Sequence, residues 1–395
     1  MMMAETEYST IFHGLLLRRM ETLLERISPA ADRIPTDVEI QARHILQYSL
    51  SWPNAWPVTR QLLLALAPKM EQAGHRDDWA SYLQSGFHLS GTNRDWGAKA
   101  ALAYHIGYIH QTRARYKQAK KFLQLSADLY SDLGNTEGYA EATNRLAYVA
   151  RLEGRNDEAA ALARLALSHL DGKAFGRQFS YFVLGAVKLD LEEWPAAADY
   201  FSKSLAICRL YPDQKRLIAL RSGNLGTAYY FWGRFKEAEV RFEEAIMLFG
   251  QINDIVHVAV MEMNLGNIYL DEGQPQDALT LYDRAGQVLH MVNDEHHLGL
   301  LYLNYGRAYR ELEEYALSTQ YLLNSAARWN RIGHSYWLAK ACYELGVTYQ
   351  MDQANSMAVA QFNNAAKVLD EGPEDDSYQE IRLLISNALA SVEVG

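Results

Sequence analysis

The sequence predicts an all-α solenoid built from stacked helix-turn-helix units, and three observations predict it. A small residue recurs in one register, at Ala67, Gly107, Ala147, Gly185, Gly226, Gly266, Gly306 and Gly346, with intervals of 40, 40, 38, 41, 40, 40 and 40 residues. Twelve residues after each from the second onwards lies another small residue: Ala119, Ala159, Ala197, Ala238, Ala278, Ser318 and Ala358. Apolar residues on both sides follow the i, i+3, i+4, i+7 spacing of a helix, with a breaker between them, as in Gly154-Arg-Asn or Trp232-Gly-Arg. Each unit therefore reads as helix A, a tight turn and helix B.

The elements follow in order. Residues 1–55 form an N-terminal helical segment: Ile11 to Ile27 is amphipathic, and Thr36-Asp-Val-Glu39 is a capping box opening a second helix to about Leu50. This pair reads either as a cap over the first unit or as a docking or dimerising pair. Residues 56–372 hold eight units, of which the first is degenerate, with Ala67, Gly74, Trp79 and Leu83. The fourth carries Lys188 where Tyr is expected. Four residues beyond the second small position lies Leu123, Ala163, Phe201, Phe242, Tyr282, Leu322 or Phe362. The glycines are explained by close approach of helix B, with Ala238 or Ala278 facing them, since glycine inside a helix costs about 1 kcal/mol against alanine. Gly372-Pro373 ends the array, and residues 373–395 form a C-terminal capping helix with Ile381, Leu384, Ile385, Ala388 and Leu389 on one stripe.

Leu-Gly-x-x-Tyr followed by Gly and Ala-x-x-x-Phe/Tyr resembles the tetratricopeptide repeat, in units longer than the usual 34 residues. The pattern is similar to the long-helix class of kinesin light chains, bacterial peptide-pheromone receptors and the sensor arms of signal-transduction NTPases. The resemblance implies a right-handed superhelix with helix A lining a concave groove, and a function in binding.

Composition narrows the function. The chain has 395 residues, 49% of them hydrophobic and 22% charged, which is globular composition. Lys and Arg number 38 against 48 Asp and Glu, so the net charge is −10, which argues against phosphate-backbone binding over the whole surface and leaves room only for a local basic patch. Two cysteines, Cys208 and Cys342, make no disulfide framework. The start lacks a basic, then apolar, secretory pattern, and no apolar run approaches membrane-spanning length. The expectation is a soluble cytoplasmic protein without nucleic-acid or membrane partners.

No catalytic constellation appears, and no cofactor or metal site is expected. Gly172-Lys173 lacks the rest of a phosphate loop, and His75-Arg76-Asp77 lacks every companion of the kinase tripeptide it spells. His257, His290, His296 and His297 fall near inter-unit loops and read as solvated histidines rather than metal ligands.

The candidate site is the inner face of the A helices. Positions two before the small residue point about 200° away from it. That row reads His105, Arg145, Val183, Asn224, Asn264, Asn304 and Glu344. The next row includes Tyr108, Tyr148, Ala186, Thr227, Asn267, Arg307 and Val347, and one turn further lie Asp190, Phe231, Asp271, Glu311 and Met351. Asparagine carries an acceptor and two donors, so a ladder of exposed asparagines matches both groups of an extended peptide backbone. The alternative is that these amides bond between neighbouring helices. Phe179, with Val183, Ala186 and Phe231, suggests an apolar anchor pocket, or else packing between A helices. A carboxylate clamp, which the resemblance brings to mind, would fall on Met263, Asn267, Asn304, Lys340 and Glu344; Met263 and Glu344 replace two cations, which argues against it. The candidate partner-binding residues are His105, Tyr108, Arg145, Phe179, Asn224, Phe231, Asn264, Asn267, Asn304, Arg307, Lys340 and Glu344. The chain reads as a scaffold or regulatory subunit holding an extended protein segment, or alternatively as a peptide- or ligand-responsive sensor that switches an effector.

Overall fold

The computed structural model describes residues 2–27, 34–73, 76–372 and 378–393, and side chains from 10 to 392 within these except 71–73 and 76–78. Gly74, His75 and Pro373 lie outside the described residues. Among the described residues every regular element is a helix, and the fold is of the helical-repeat, α-solenoid class. The chain divides into two compact units, residues 1–217 and 218–395.

The first unit begins with α1 (Met2–Arg26), α2 (Thr36–Ser49) and a 3-10 turn (Pro53–Ala55). Helix pairs follow: α3 (Trp56–Ala73) with α4 (Arg76–Thr92), α5 (Trp96–Thr112) with α6 (Tyr116–Asp132), α7 (Thr136–Leu152) with α8 (Asn156–Ser168), and α9 (Arg177–Asp190) with α10 (Trp194–Cys208). Met20 and Leu23 of α1 and Val38 and Leu46 of α2 share one core with Leu62, Leu63 and Trp79 of the first pair. The expected capping box differs. Pro35 is the N-cap of α2 and no side chain caps it, because Thr36 is already the first helical residue.

The second unit contains α11 (Lys215–Phe231, entering from the first) with α12 (Phe235–Gln251), α13 (Ile255–Asp271) with α14 (Pro275–Met291), α15 (Glu295–Glu311) with α16 (Tyr315–Ile332), and α17 (Ser335–Met351) with α18 (Asn355–Asp370). α19 (Gln379–Glu393) ends it. Tyr378, Ile381 and Ile385 bury against Phe362, Ala365 and Leu369 of α18.

The sequence enforces the pairing locally. Asp95, Asn135, Asp254 and Asp294 precede A helices, and each side chain accepts from the backbone N–H three residues on. Tight turns close the pairs; Gly233 and Gly273 adopt φ of 74° and 77°, where a side chain is strained. The helical glycines differ from expectation in their partner. A Cβ on Gly226 would meet the Phe242 ring at 2.7 Å, on Gly266 the Tyr282 ring at 2.5 Å, on Gly306 Leu322 at 2.4 Å and on Gly346 Phe362 at 2.4 Å. At these four positions the large residue sixteen on, rather than the facing alanine side chain, leaves no room for a Cβ, whereas in the degenerate first unit Ala67 packs in one core with Leu83 at that spacing. At Ala147 the corresponding residue is Ala163, so a large side chain is absent there and both pack in one cluster. Where Tyr was expected, Lys188 instead reaches Glu193 at 2.6 Å.

Candidate partner-binding site

The A helices carry the candidate residues, and the two units present them differently. In the first unit, α5, α7 and α9 bring His105, Tyr108, Arg145 and Phe179 into one cluster. The Arg145 guanidinium lies 4.7 Å from the Tyr108 ring centre and 4.6 Å from that of Phe179, and donates to the Tyr104 hydroxyl at 3.0 Å. His105 packs edge-on against Tyr104. Phe179 also meets Tyr148 and Phe182. The expected apolar pocket does not form from Val183 and Ala186, which are buried in the helix packing. What fills this face is a cation held between rings, an arrangement worth about 0.5–2 kcal/mol.

In the second unit the asparagine row is placed on α11, α13 and α15. Asn224 and Asn264 are half-buried, and Asn304 is only 6% exposed. The expectation of full exposure is therefore corrected. Their amides nonetheless make no hydrogen bond among the described residues, so the alternative of amides bonding between helices does not hold in this structure. Asn267 differs, since its Oδ1 accepts from the Tyr282 hydroxyl at 2.7 Å.

The charged members are engaged. Arg307 donates to Asp271 at 2.9 Å, and the Tyr230 hydroxyl donates to the same carboxylate. Burial and this carboxylate push the Tyr230 phenol up. Glu344, offered as a partner contact, is instead buried at 6% exposure. Arg310 Nη1 lies 2.8 Å away from Glu344 Oε2, and Lys340 Nζ 3.5 Å from its other oxygen. Burial pushes the Glu344 carboxyl up, but Arg310, Lys340 and Arg307 outweigh it and hold the group below the ordinary carboxylate range. Its role is to neutralise a buried arginine, so it is withdrawn from the partner-facing set. Phe231, at the end of α11, is 52% exposed.

Histidines in the second unit are also engaged. The Nδ1 atoms of His257 and His297 sit 2.9 and 2.7 Å from Asp254 and Asp294, the residues that cap their helices. Among the described residues no group of three or more His, Cys, Asp or Glu could hold a metal ion. No helix there is long and apolar enough to cross a membrane.

Sequence reasoning missed Tyr104, Tyr282 and Arg310. Tyr282 carried a signal: it holds the only hydroxyl among the seven residues at its register, where the others are Leu, Ala or Phe.

The tetratricopeptide-repeat family profile matches residues 180–249. No curated protein matches the chain. Among solved structures, the apo form of the quorum sensor NprR from B. thuringiensis is similar, with a TM-score of 0.63 at 16% identity over 89% of this chain and 97% of that one. The apo form of RapI gives 0.58 at 15% identity over 69% of this chain and 100% of that one. A Rap protein complexed with competence and sporulation factor gives 0.54 at 17% identity over 88% and 98%. At such identities these likenesses speak for the fold. The profile match thus falls on α9 to α12, and the fold around it, like that of these neighbours, is one of helical repeats.

Proposed function

We infer that the chain works by binding rather than catalysis, as a regulatory scaffold that takes an extended peptide segment along the A-helix face of its second unit. One observation carries this reading. Asn224, Asn264 and Asn304 occupy one register on successive A helices, and their amides have no hydrogen-bond partner among the described residues. Asn224 and Asn264 are half-buried and Asn304 is buried, and a peptide backbone supplies both the donor and the acceptor that such amides can pair with. Packed helices lie about 8–10 Å apart, so the row spans roughly 16–20 Å, the reach of about six extended residues. The similar Rap protein was solved in complex with competence and sporulation factor, which supports a peptide as the class of ligand.

The test uses the immobilised full chain and a randomised hexapeptide pool. Wild-type protein should retain members that a chain carrying Asn264→Ala and Asn304→Ala does not. Equal retention by both would remove the row from the binding site.

A second reading, a sensor that switches an associated effector, is favoured by the similarity in fold to NprR, a quorum sensor. Small-angle scattering with and without a retained hexapeptide separates the two: a sensor changes its radius of gyration, and a scaffold keeps it.

A further inference from the structure

Tyr282 is the one residue at its register with a hydroxyl, and its side chain is fully buried. The ring reaches the backbone of α13 because position 266 is glycine; a Cβ there would lie 2.5 Å from the ring. This approach delivers the hydroxyl to the next residue, Asn267, whose Oδ1 accepts at 2.7 Å. A buried hydroxyl without an acceptor is penalised, and among the described residues this hydroxyl has that acceptor alone. The opposite amide orientation would leave the phenol proton without a partner. The carbonyl end of Asn267 is thus committed inward, and Nδ2 has no hydrogen-bond partner among the described residues.

We propose that Tyr282 is a positioning residue that makes Asn267 a dedicated hydrogen-bond donor, and that the ligand offers a neutral backbone carbonyl at this point. The proposal rests on the peptide reading above and deepens it. Asn224, Asn264 and Asn304 are not held this way, so each can serve as donor or acceptor; Asn267 cannot. The neutrality of the ligand group follows from the surrounding charges. Arg307, at the equivalent position of α15, is held by Asp271 at 2.9 Å. Arg310 and Lys340 are held by Glu344, and Glu311 is exposed one turn beyond Arg307. The cations are balanced by acids, so a free carboxylate meets no surplus positive charge, whereas an amide carbonyl needs only the donor.

The test measures affinities of the full chain for the C-terminally amidated hexapeptide most strongly retained from the randomised pool. Asn267→Asp keeps an acceptor for Tyr282 but presents no donor, and should weaken binding by about tenfold or more. Asn267→Ala, which adds no charge, should weaken it comparably. Tyr282→Phe should fold, since Phe242 and Phe362 occupy the same register, and should weaken binding by a smaller factor of roughly two to five. The free-acid form of the hexapeptide should bind no tighter than the amide. Unchanged affinity in Asn267→Ala, or a free acid binding tenfold tighter, overturns the proposal while leaving the peptide reading standing. If wild-type protein retains no peptide at all, the peptide reading fails and this proposal with it.

Discussion

Arg310 of α15 and Glu344 of α17 form an ion pair of 2.8 Å in which both side chains are buried, 34 residues apart in the chain. Arg310 also donates to the Glu344 backbone carbonyl, and Thr348 Oγ1 donates to that same oxygen at 3.0 Å. The pair therefore ties two successive A helices together through a satisfied polar network. Removing one member leaves the other charge buried and uncompensated, which costs about 3–5 kcal/mol.

Glu344→Gln should accordingly destabilise the protein by about 3 kcal/mol at pH 7. The pH dependence has a definite sign. The folded carboxyl lies below its ordinary value of 4.5, so its contribution is full above that value and is lost as pH falls through the folded one. Denaturant melts should show a gap between wild type and variant that is constant from pH 7 to 5 and narrows below about pH 4. A gap independent of pH down to 3 would mean that the carboxylate charge is not its source.

The glycines make a second, opposite pair of expectations. Gly266→Ala places a methyl 2.5 Å from the buried Tyr282 ring, so it should destabilise by about 1–3 kcal/mol despite alanine's helix propensity. The double variant Gly266→Ala, Tyr282→Ala reproduces the Ala147–Ala163 combination and removes the clash, at the cost of a cavity. Thermal melts that show Gly266→Ala to be neutral would contradict the close-packing account.

How much of this was legible in the sequence follows from where each partner sits. The register of Gly226, Gly266, Gly306 and Gly346 is periodic, and so the helix pairs and turns could be read directly. The partner of each glycine could not be assigned from small residues alone, because a Cβ on Gly266 would meet the Ala278 backbone oxygen only at 3.3 Å but the Tyr282 ring at 2.5 Å. Glu344 falls on the inner row by its spacing, yet Arg310 sits at a different register one unit away, and periodicity within one helix does not reveal it. Asn304 shares its register with Asn224 but is more deeply buried, since burial depends on the flanking side chains of neighbouring helices rather than on position in the repeat. Pro35 displaced Thr36 as the cap of α2 because capping depends on where the helical dihedral angles begin.

The end of the array gives a third prediction. Deleting residues 373–395 removes Tyr378, Ile381 and Ile385 from Phe362, Ala365 and Leu369. The uncovered apolar edge should drive self-association and lower the melting temperature. Sedimentation of the truncated chain as an unchanged monomer, with an unchanged melt, would show that α19 does not act as a cap.

The central claim is that the asparagine row contacts a peptide. The triple variant Asn224→Ala, Asn264→Ala, Asn304→Ala loses no hydrogen bond within the described structure, and alanine favours helix, so its melting temperature should match wild type. Each amide contributes about 0.5–1.5 kcal/mol to a bound backbone. Calorimetric titration with the retained hexapeptide should therefore show affinity reduced at least about tenfold, or 1.4 kcal/mol. Full affinity in a normally folded triple variant, or a lowered melting temperature with affinity intact, would contradict the account.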